Sequence, residues 1–307
     1  MMLNTKVYPK VLLMSVIVTL LLIFAIPAMA APGAHELITP DQLSGLIHSN
    51  NAIIIDVRDV SAYNAGHITG AVNVNMQEFY ETVNGVKSQA ATPEKLAGLL
   101  SRIGATPQTR IVAYSANNDA KHPDRVMWVL NALYGHKNAQ MLDGGFQAWV
   151  VNGYEVSTEP VTPTPAVYPA SELIANPNAV ATLEEVKDAL SQESGTVVID
   201  CRNMDYYTGK LSKVARPGHI SGTILVPEMD MYNPDYTLKD KKTLTDYFEA
   251  IGITKEISVI VYCNTGTTAT VQYLALKNVV GCKDVQNYDG SLTEWAADPA
   301  LPMETGY

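Results

Sequence analysis

The sequence predicts an α/β protein built from two tandem domains, each a small, mainly parallel sheet flanked by helices. Three observations lead to this prediction. They are an internal repeat, an alternation of strand-like and helical segments within each copy, and a proline-rich segment between the copies. The repeat carries the most weight, because several short motifs return in the same order at nearly constant spacing.

The repeat consists of four motifs that occur once in each half of the chain. In the first copy they are Asp56-Val57-Arg58, Gly66-His67-Ile68-Thr69-Gly70, the strand-like run Arg110–Tyr114, and Leu142-Asp143-Gly144-Gly145 followed by Trp149. In the second copy they are Asp200-Cys201-Arg202, Gly218-His219-Ile220-Ser221-Gly222, the apolar run Val259–Tyr262, and Tyr288-Asp289-Gly290-Ser291 followed by Trp295. The offsets run from 144 (Asp56 to Asp200) to 152 (Gly66 to Gly218), which indicates a tandem duplication.

Within each copy, β-branched runs alternate with segments whose apolar residues recur three and four positions apart. That spacing predicts helices over Thr182–Leu190, Thr243–Ile251 and Ala269–Lys277. Prolines at 160, 163, 165 and 169 predict an extended connector. The expected organisation is therefore a leader over 1–30, a first domain over 31–157, a proline-rich linker over 158–172 and a second domain over 173–307.

The composition is that of an ordinary globular protein. Hydrophobic residues make up 47% of the 307 residues and charged residues 17%, so disorder is not expected. Acidic residues outnumber basic ones by 31 to 21, which disfavours nucleic acid as a partner because phosphate binding needs clustered Lys and Arg. Three cysteines are too few for a disulfide-rich scaffold.

The N-terminus has the order of a secretory signal peptide. Lys6 and Lys10 precede an apolar run from Val11 to Ile26, and Pro27-Ala28-Met29-Ala30-Ala31 resembles a cleavage site. We expect cleavage after Ala30 and a periplasmic or secreted protein without stable membrane insertion, with an uncleaved anchor as the alternative.

Duplication has already supplied a partner domain within the chain, so a monomer is expected.

One cysteine occupies a position suited to chemistry. Cys263 directly follows the apolar run Val259–Tyr262 and precedes Asn264-Thr265-Gly266-Thr267-Thr268 and a predicted helix. A thiol between a strand end and a helix N-terminus faces unpaired amides, which favour the thiolate. Small residues and Gly266 let the loop curl so that its amides form a cradle for an anion. The alternative is that Cys263 is a small buried apolar residue.

The whole chain after the leader resembles the tandem-domain rhodanese family, the thiosulfate and 3-mercaptopyruvate sulfurtransferases. The resemblance rests on the four repeated motifs and the cysteine loop, and it spans roughly residues 37–303. It implies a catalytic second domain and an inactive first domain. The first copy fits this, because Ser115-Ala116-Asn117-Asn118-Asp119 stands where the second copy has its cysteine loop, and a serine hydroxyl holds no stable persulfide.

The resemblance also implies roles for individual residues. Cys263 would take a sulfane sulfur from thiosulfate or 3-mercaptopyruvate as a persulfide and pass it to cyanide or a thiol. The amides of Asn264, Thr265, Gly266, Thr267 and Thr268 would stabilise the transferred sulfur. Arg202 would bind the anionic group of the donor, whereas Arg58 would only pin a loop. No cofactor and no metal is implied.

Two departures leave the donor open. The residues after Cys263 are uncharged, which favours a mercaptopyruvate-type donor without matching that motif, and Tyr206 or Tyr207 replaces a second family arginine. A phosphatase is disfavoured, because the loop-ending arginine of that chemistry would stand at Ala269. A noncatalytic sulfur carrier or adaptor module is the remaining alternative.

Other polar residues have simpler interpretations. His67 and His219 are expected to have structural hydrogen bonds, since both copies carry them, and His35, His48, His122 and His136 have no metal-site spacing. Asp143 and Asp289 resemble turn and helix-cap residues, and Trp149 and Trp295 resemble core anchors. Cys201 is interpreted as a buried residue or, alternatively, as a resolving thiol for Cys263; Cys282 has no assigned role.

Overall fold

Two copies of one α/β unit make up the folded part of the chain. A computed structural model describes residues 2, 36–49, 51–116, 121–191 and 194–307, without the side chains of residues 121 and 122. The predicted leader, His35 and residues 117–119 of the first copy's loop lie outside the described residues. The segment Pro32–Tyr307 forms one compact unit.

The first copy contains nine strands and five α-helices among the described residues. The strands are β1 (Leu37–Ile38), β2 (Ile53–Asp56), β3 (His67–Ile68), β4 (Val72–Asn73), β5 (Tyr80–Val83), β6 (Val86–Ala90), β7 (Ile111–Tyr114), β8 (Ala139–Leu142) and β9 (Val156–Ser157). The helices are α1 (Pro40–His48), α2 (Val60–Ala65), α3 (Pro93–Arg102), α4 (Lys121–Met127) and α5 (Gly145–Val151).

The second copy repeats this order without the β5–β6 hairpin. Its strands are β10 (Val180–Ala181), β11 (Val197–Asp200), β12 (His219–Ile220), β13 (Ile224–Leu225), β14 (Val259–Tyr262), β15 (Val285–Tyr288) and β16 (Met303–Glu304). Its helices are α6 (Leu183–Ala189), α7 (Met204–Tyr207), α8 (Lys241–Ala250), α9 (Ala269–Leu274) and α10 (Ser291–Trp295).

Each copy builds a five-stranded parallel sheet with the same topology. The strand orders are β1-β8-β7-β2-β4 and β10-β15-β14-β11-β13, and the pairings within both sheets are parallel. The central strand β14 is buried throughout and pairs with β11 in a register that places Asp200 opposite Tyr262. The predicted fold class is therefore confirmed, and β14 delivers Cys263 to the carboxyl edge of its sheet.

Side-chain caps set the helix boundaries. Thr182 caps α6 and forms a capping box with Glu185, which confirms the helix predicted over Thr182–Leu190. Helix α8 begins two residues earlier than predicted, because the carboxylate of Asp240 accepts hydrogen bonds from the amides of Lys242 and Thr243. The predicted linker has no regular structure over 158–169, and a 3-10 turn follows at Ala170–Glu172.

The two copies share a hydrophobic core. Both α4 and α9 continue into π-helices, Trp128–Leu133 and Ala275–Val280, so the helix predicted over Ala269–Lys277 is α-helical only up to Leu274. Trp128 meets Tyr273 edge-to-face, with ring centroids 6.4 Å apart. These residues belong to one buried apolar cluster drawn from both copies. The domains therefore pack as a unit, and groups from the first domain reach the second.

A buried carboxyl group at this interface predicts a pH-dependent stability. Asp124 is fully buried and accepts a hydrogen bond from the hydroxyl of Tyr232 at 2.7 Å. Burial raises the pKa of Asp124 to about 8. The folded state therefore binds a proton on the Asp124 carboxyl group more tightly than the unfolded state does. The stability that this protonation contributes is lost as the pH rises from about 4 to about 8.

Because Asn does not titrate, we expect Asp124→Asn to gain stability relative to the unsubstituted protein over that interval. The gain at the upper end should be a few kcal/mol. Urea unfolding of both proteins at pH 5 and pH 9 measures it. A stability difference that is the same at both pH values would contradict the assignment.

Candidate active site

Cys263 lies at the carboxyl end of a central strand, where ligands bind in open parallel sheets. Its side chain is buried, with 2% of the residue exposed. Its amide donates to the hydroxyl of Ser291 at 3.2 Å, and its carbonyl accepts from the amide of Leu292 at 3.1 Å. The thiol is therefore held at a fixed place against the start of α10.

The loop 264–268, hereafter the cysteine loop, is anchored through its carbonyl groups. The carbonyl of Asn264 accepts from both the amide and the hydroxyl of Thr293, at 2.9 and 2.7 Å. The carbonyl of Gly266 accepts from the Asn287 side-chain amide at 3.0 Å. None of the backbone amides of 264–268 donates to an acceptor among the described residues. A row of unpaired amides beside a thiol suits stabilisation of an anionic sulfur.

Gly266 cannot be replaced without disturbing this loop. Its φ of 71° lies in the left-handed region. A Cβ atom at this position would lie 2.7 Å from the carbonyl oxygen of Asp289 and 2.7 Å from its Oδ1. The loop therefore rests directly on Asp289, and only glycine allows so close an approach.

The other loop residues differ in their exposure. Thr267 is buried and its hydroxyl lies 3.0 Å from the hydroxyl of Tyr80. Asn264, Thr265 and Thr268 are half-buried. The first domain touches the cysteine loop at Thr267.

Arg202 supports the loop from the neighbouring strand end. Its guanidinium binds Asp200 through Nε and Nη2, at 2.9 and 2.6 Å, and the Gly218 carbonyl at 2.8 Å. Its Nη1 donates to the side-chain oxygen of Asn264 at 3.3 Å. Burial lowers the pKa of Arg202, but hydrogen bonds and the charge of Asp200 raise it further, so the net shift is upward.

The same arrangement occurs in the first copy. Arg58 binds Asp56 and the Gly66 carbonyl, as Arg202 binds Asp200 and the Gly218 carbonyl. Only Arg202 adds a contact to a cysteine loop. The structure therefore brings Arg202 beside the loop, and its binding of a donor anion stays a prediction.

The first domain supplies a buried cation that the sequence patterns did not reveal. Arg125 from α4 is completely buried and its Nη1 lies 2.5 Å from Oδ1 of Asp289. The guanidinium carbon lies 4.6 Å from the ring centroid of Trp128 and 5.3 Å from that of Tyr80. One signal was available in the repeat. Helix α9 has no charged residue, as expected of a buried helix. If its counterpart α4 is buried too, then the charged residues of α4 must be paired.

Asp143 and Asp289 lie in a turn and a bend directly after β8 and β15, as predicted, but neither caps a helix, contrary to the prediction. Gly144 and Gly290 hold the cap positions of α5 and α10 without a side-chain cap. The two carboxylates instead bind the opposite copy. Asp143 accepts from the amide of Leu238 at 2.9 Å, and Asp289 accepts from the amide of Ala90 at 2.7 Å. The sequence pattern of an acid before glycine is the same for a cap and for such a contact.

The remaining histidines and tryptophans have structural contacts. His67 stacks on Tyr63 and His219 on Tyr207, and each Nδ1 faces the carbonyl of that tyrosine at 3.0 and 2.9 Å. The Nδ1 of His136 lies 2.8 Å from the Tyr168 hydroxyl, and His48 lies at the end of α1. The side chain of His122 lies outside the described residues. Trp149 and Trp295 are buried, as predicted for core anchors.

The two tyrosines at the place of the second arginine, Tyr206 and Tyr207, make local contacts. The Tyr207 hydroxyl donates to the Thr223 carbonyl at 2.7 Å, and Tyr206 is half-buried beside Lys213.

The other two cysteines are free, buried thiols, as is Cys263. Cys201 follows Asp200, the register partner of Tyr262, so it adjoins Cys263 across the two strand ends. Burial, and next the nearby Cys263, raise the pKa of Cys201 well above its usual range. Such a thiol is a weak nucleophile, and a resolving role for Cys201 stays a prediction. Cys282 lies elsewhere, with its sulfur 3.9 Å from the Thr254 carbonyl.

In the first copy, Ser115 occupies the place of Cys263. It directly follows β7 and is buried, and its hydroxyl has no hydrogen-bond partner among the described residues. Across the ranges that the structure describes, no three His, Cys, Asp or Glu side chains are grouped to hold a metal ion. Within those ranges no helix has the length and apolar character needed to cross a membrane.

Comparisons with known proteins agree with this geometry. The sequence profile of the "Rhodanese-like domain" matches residues 39–152 and 182–298. A protein of Synechococcus elongatus named "Putative thiosulfate sulfurtransferase" is 32% identical over 293 residues, covering 91% of this chain and 88% of that protein. The "Sulfur carrier protein TtuD" of Thermus thermophilus is 28% identical, covering 88% of this chain and 96% of that protein.

Among solved structures, an anaerobic ergothioneine biosynthesis enzyme from Chlorobium limicola has the same fold. Its complex with trimethyl histidine superposes with a TM-score of 0.76 at 24% identity, over 89% of this chain and 70% of that one. The matched profile covers both copies of the repeat. The chain belongs to the rhodanese-like domain family, with two such domains in tandem.

Proposed function

We propose that this protein is a sulfurtransferase that carries a sulfane sulfur on Cys263. The observation that supports it most is the position of a buried thiol at the end of β14, beside five loop amides that donate to no acceptor among the described residues. An anionic persulfide sulfur would accept those hydrogen bonds. The family membership and the names of the relatives support the same chemistry.

The proposed reaction has two half-reactions. The Cys263 thiolate attacks the outer sulfur of the donor, so that a new S–S bond forms while the bond from that sulfur to the rest of the donor breaks. Thiosulfate then leaves as sulfite, and 3-mercaptopyruvate leaves as pyruvate after its carbon takes up the thiol proton. Cyanide or a thiolate next attacks the outer persulfide sulfur, and its product leaves with that sulfur while the thiolate is restored.

The charges around Cys263 favour a monoanionic donor. Arg125 and Arg202 each lie in an ion pair, with Asp289 and Asp200. Neither guanidinium is therefore available as a full positive charge, and Arg202 has only Nη1 turned towards the loop. A dianion such as thiosulfate would add one more uncompensated negative charge than a monoanion such as 3-mercaptopyruvate, and burying unbalanced charge is costly.

We therefore expect kcat/KM for 3-mercaptopyruvate to exceed that for thiosulfate by about tenfold or more. Steady-state thiocyanate formation from cyanide measures both values, at constant ionic strength because screening affects the dianion more. Equal values, or faster turnover with thiosulfate, would contradict the charge argument while leaving sulfur transfer itself in place.

A sulfur carrier is the second candidate, and the relative named as a carrier favours it. A carrier would load Cys263 once and deliver the sulfur only to a protein partner. Catalytic turnover with a small acceptor separates the two candidates: an enzyme forms many equivalents of thiocyanate per protein, whereas a carrier forms one at most.

The domain roles and the location belong to the same proposal. We propose that the second domain, over 173–307, is catalytic, and that the first, over 31–157, is inactive because Ser115 replaces the nucleophile. We also propose export to the periplasm or secretion, supported by the N-terminal pattern of Lys6, Lys10 and the apolar run. N-terminal sequencing of the protein made in a host with a secretion pathway should begin at Ala31; a chain beginning at its first residues would contradict cleavage.

A further inference from the structure

A buried interdomain contact lies directly behind the cysteine loop. The Nη1 group of Arg125 lies 2.5 Å from Oδ1 of Asp289 and donates to the Gly266 carbonyl at 3.4 Å. The amide of Ala90 donates to the other oxygen of Asp289, and the side chain of Gln89 donates to its carbonyl at 2.9 Å. Three groups of the first domain thus bind the residue on which the loop rests.

This contact fixes the orientation of one loop peptide. The Gly266–Thr267 peptide is planar, so its carbonyl and its N–H point in opposite directions. Arg125 and Asn287 both donate to that carbonyl. The N–H of Thr267 must therefore point away from Arg125, and it has no acceptor among the described residues. The Thr267 hydroxyl also contacts the hydroxyl of Tyr80, at 3.0 Å.

The contact is present only on the side that bears the thiol. The π-helices Trp128–Leu133 and Ala275–Val280 align at an offset of 147 (128 to 275), which puts Gln272 in the place of Arg125. The Gln272 amide donates to the Val226 carbonyl at 2.8 Å rather than to Asp143. In the described part of the chain, Asp143 has no ion pair with a cation of the other copy. The arginine contact therefore occurs at the copy that has the cysteine and is not a general feature of the duplicated fold.

We propose that Arg125 is a positioning residue for sulfur transfer: by binding Asp289 and the Gly266 carbonyl, it holds the cysteine loop so that its amides face the sulfur on Cys263. The inference rests on the proposed function, because it concerns the same site. The proposed role of Arg125 would explain what the first domain does for the reaction, although that domain has no nucleophile of its own. The second domain's site is incomplete without a group that the first domain inserts.

The test uses Arg125→Met and the double variant Arg125→Met/Asp289→Asn. The single variant leaves the Asp289 carboxylate buried and unpaired, so both stability and turnover should fall. The double variant leaves neither charge alone and should recover the melting temperature. If Arg125 positions the loop, kcat for the double variant stays at least about tenfold below that of the unsubstituted protein. If the ion pair is only structural, kcat recovers together with the melting temperature, and the proposal is overturned.

Two further measurements keep the result decisive. Alkylation of Cys263 by iodoacetamide, located by peptide mapping, needs no sulfur donor; its rate at a fixed pH should fall several-fold in the double variant, and an unchanged rate would count against positioning. Arg125→Lys keeps the charge but not the fork of donors, and should fold while losing part of kcat. If the double variant does not fold, a fully active lysine variant overturns the proposal.

Asp143→Asn, the matched change on the side without a thiol, should leave both kcat and alkylation unchanged. Loss of kcat or a shift in alkylation in this variant would mean that any interface change disturbs the site, and would overturn a specific role for Arg125. The proposed function is tested separately: an unsubstituted protein without turnover refutes the catalytic sulfurtransferase and leaves the sulfur carrier, whereas the alkylation rates still decide on Arg125.

Discussion

We expect Cys263→Ser to abolish sulfur transfer, with kcat reduced at least about a thousandfold for either donor. The hydroxyl of serine neither ionises near neutral pH nor holds a stable persulfide, so both half-reactions lose their carrier. The fold should survive, because serine is close to cysteine in size and the amide of residue 263 can still donate to the Ser291 hydroxyl. Thiocyanate formation measures the loss, and the melting temperature verifies the fold.

Cys282→Ser is the matched control for this substitution. Cys282 is also buried in the second domain, but its sulfur lies 3.9 Å from the Thr254 carbonyl, away from the cysteine loop. Its replacement should leave kcat within about twofold of the unsubstituted value, since a change remote from the reacting atoms removes no interaction with the transition state. If Cys263→Ser turned over while Cys282→Ser did not, the nucleophile would have been assigned to the wrong thiol.

Gly266→Ala has the second largest expected effect. An alanine at φ 71° costs about 1–2 kcal/mol from its backbone alone. Its Cβ would lie 2.7 Å from the Asp289 carbonyl oxygen, so the loop or the strand end must shift. Because this shift moves the loop amides beside Cys263, kcat should fall by about a hundredfold. Urea unfolding and thiocyanate formation measure the two effects.

Gly252→Ala separates the two parts of that effect. Gly252 has a φ of 85°, and a Cβ atom there would meet no atom within 4 Å. Its replacement should therefore cost similar stability from the backbone and leave kcat unchanged. Activity that falls equally in both variants would indicate that lost stability, not loop geometry, explains the Gly266 result.

Much of this fold could be predicted because its signals are local in sequence. Uninterrupted apolar runs before Asp200 and Cys263 are typical of parallel strands buried on both faces, and the duplicated motifs fix their equivalence. The capping box of Thr182 and Glu185 marks the start of α6. Cys263 could be found for the same reason: a strand end, a small-residue loop and a helix follow one another within a short segment.

The interdomain part of the site could not be predicted in this way. Arg125 is 138 residues from Cys263 along the chain (125 to 263), and no periodicity indicates which residue of one domain meets which residue of the other. Asp289 was misassigned because an acidic residue before a short helix usually caps it. Here glycine occupies the cap position, and the carboxylate turns to the first domain. Contacts between copies depend on packing, which a motif does not encode.

The central claim is that Cys263 carries the sulfur, and intact mass spectrometry of the donor-treated protein tests it most directly. The protein, incubated with 3-mercaptopyruvate and freed of excess donor, should gain one sulfur atom, which peptide mapping places on Cys263. Added cyanide should remove it with one equivalent of thiocyanate. A chain that gains no sulfur, or gains it on Cys201 or Cys282, would contradict the account.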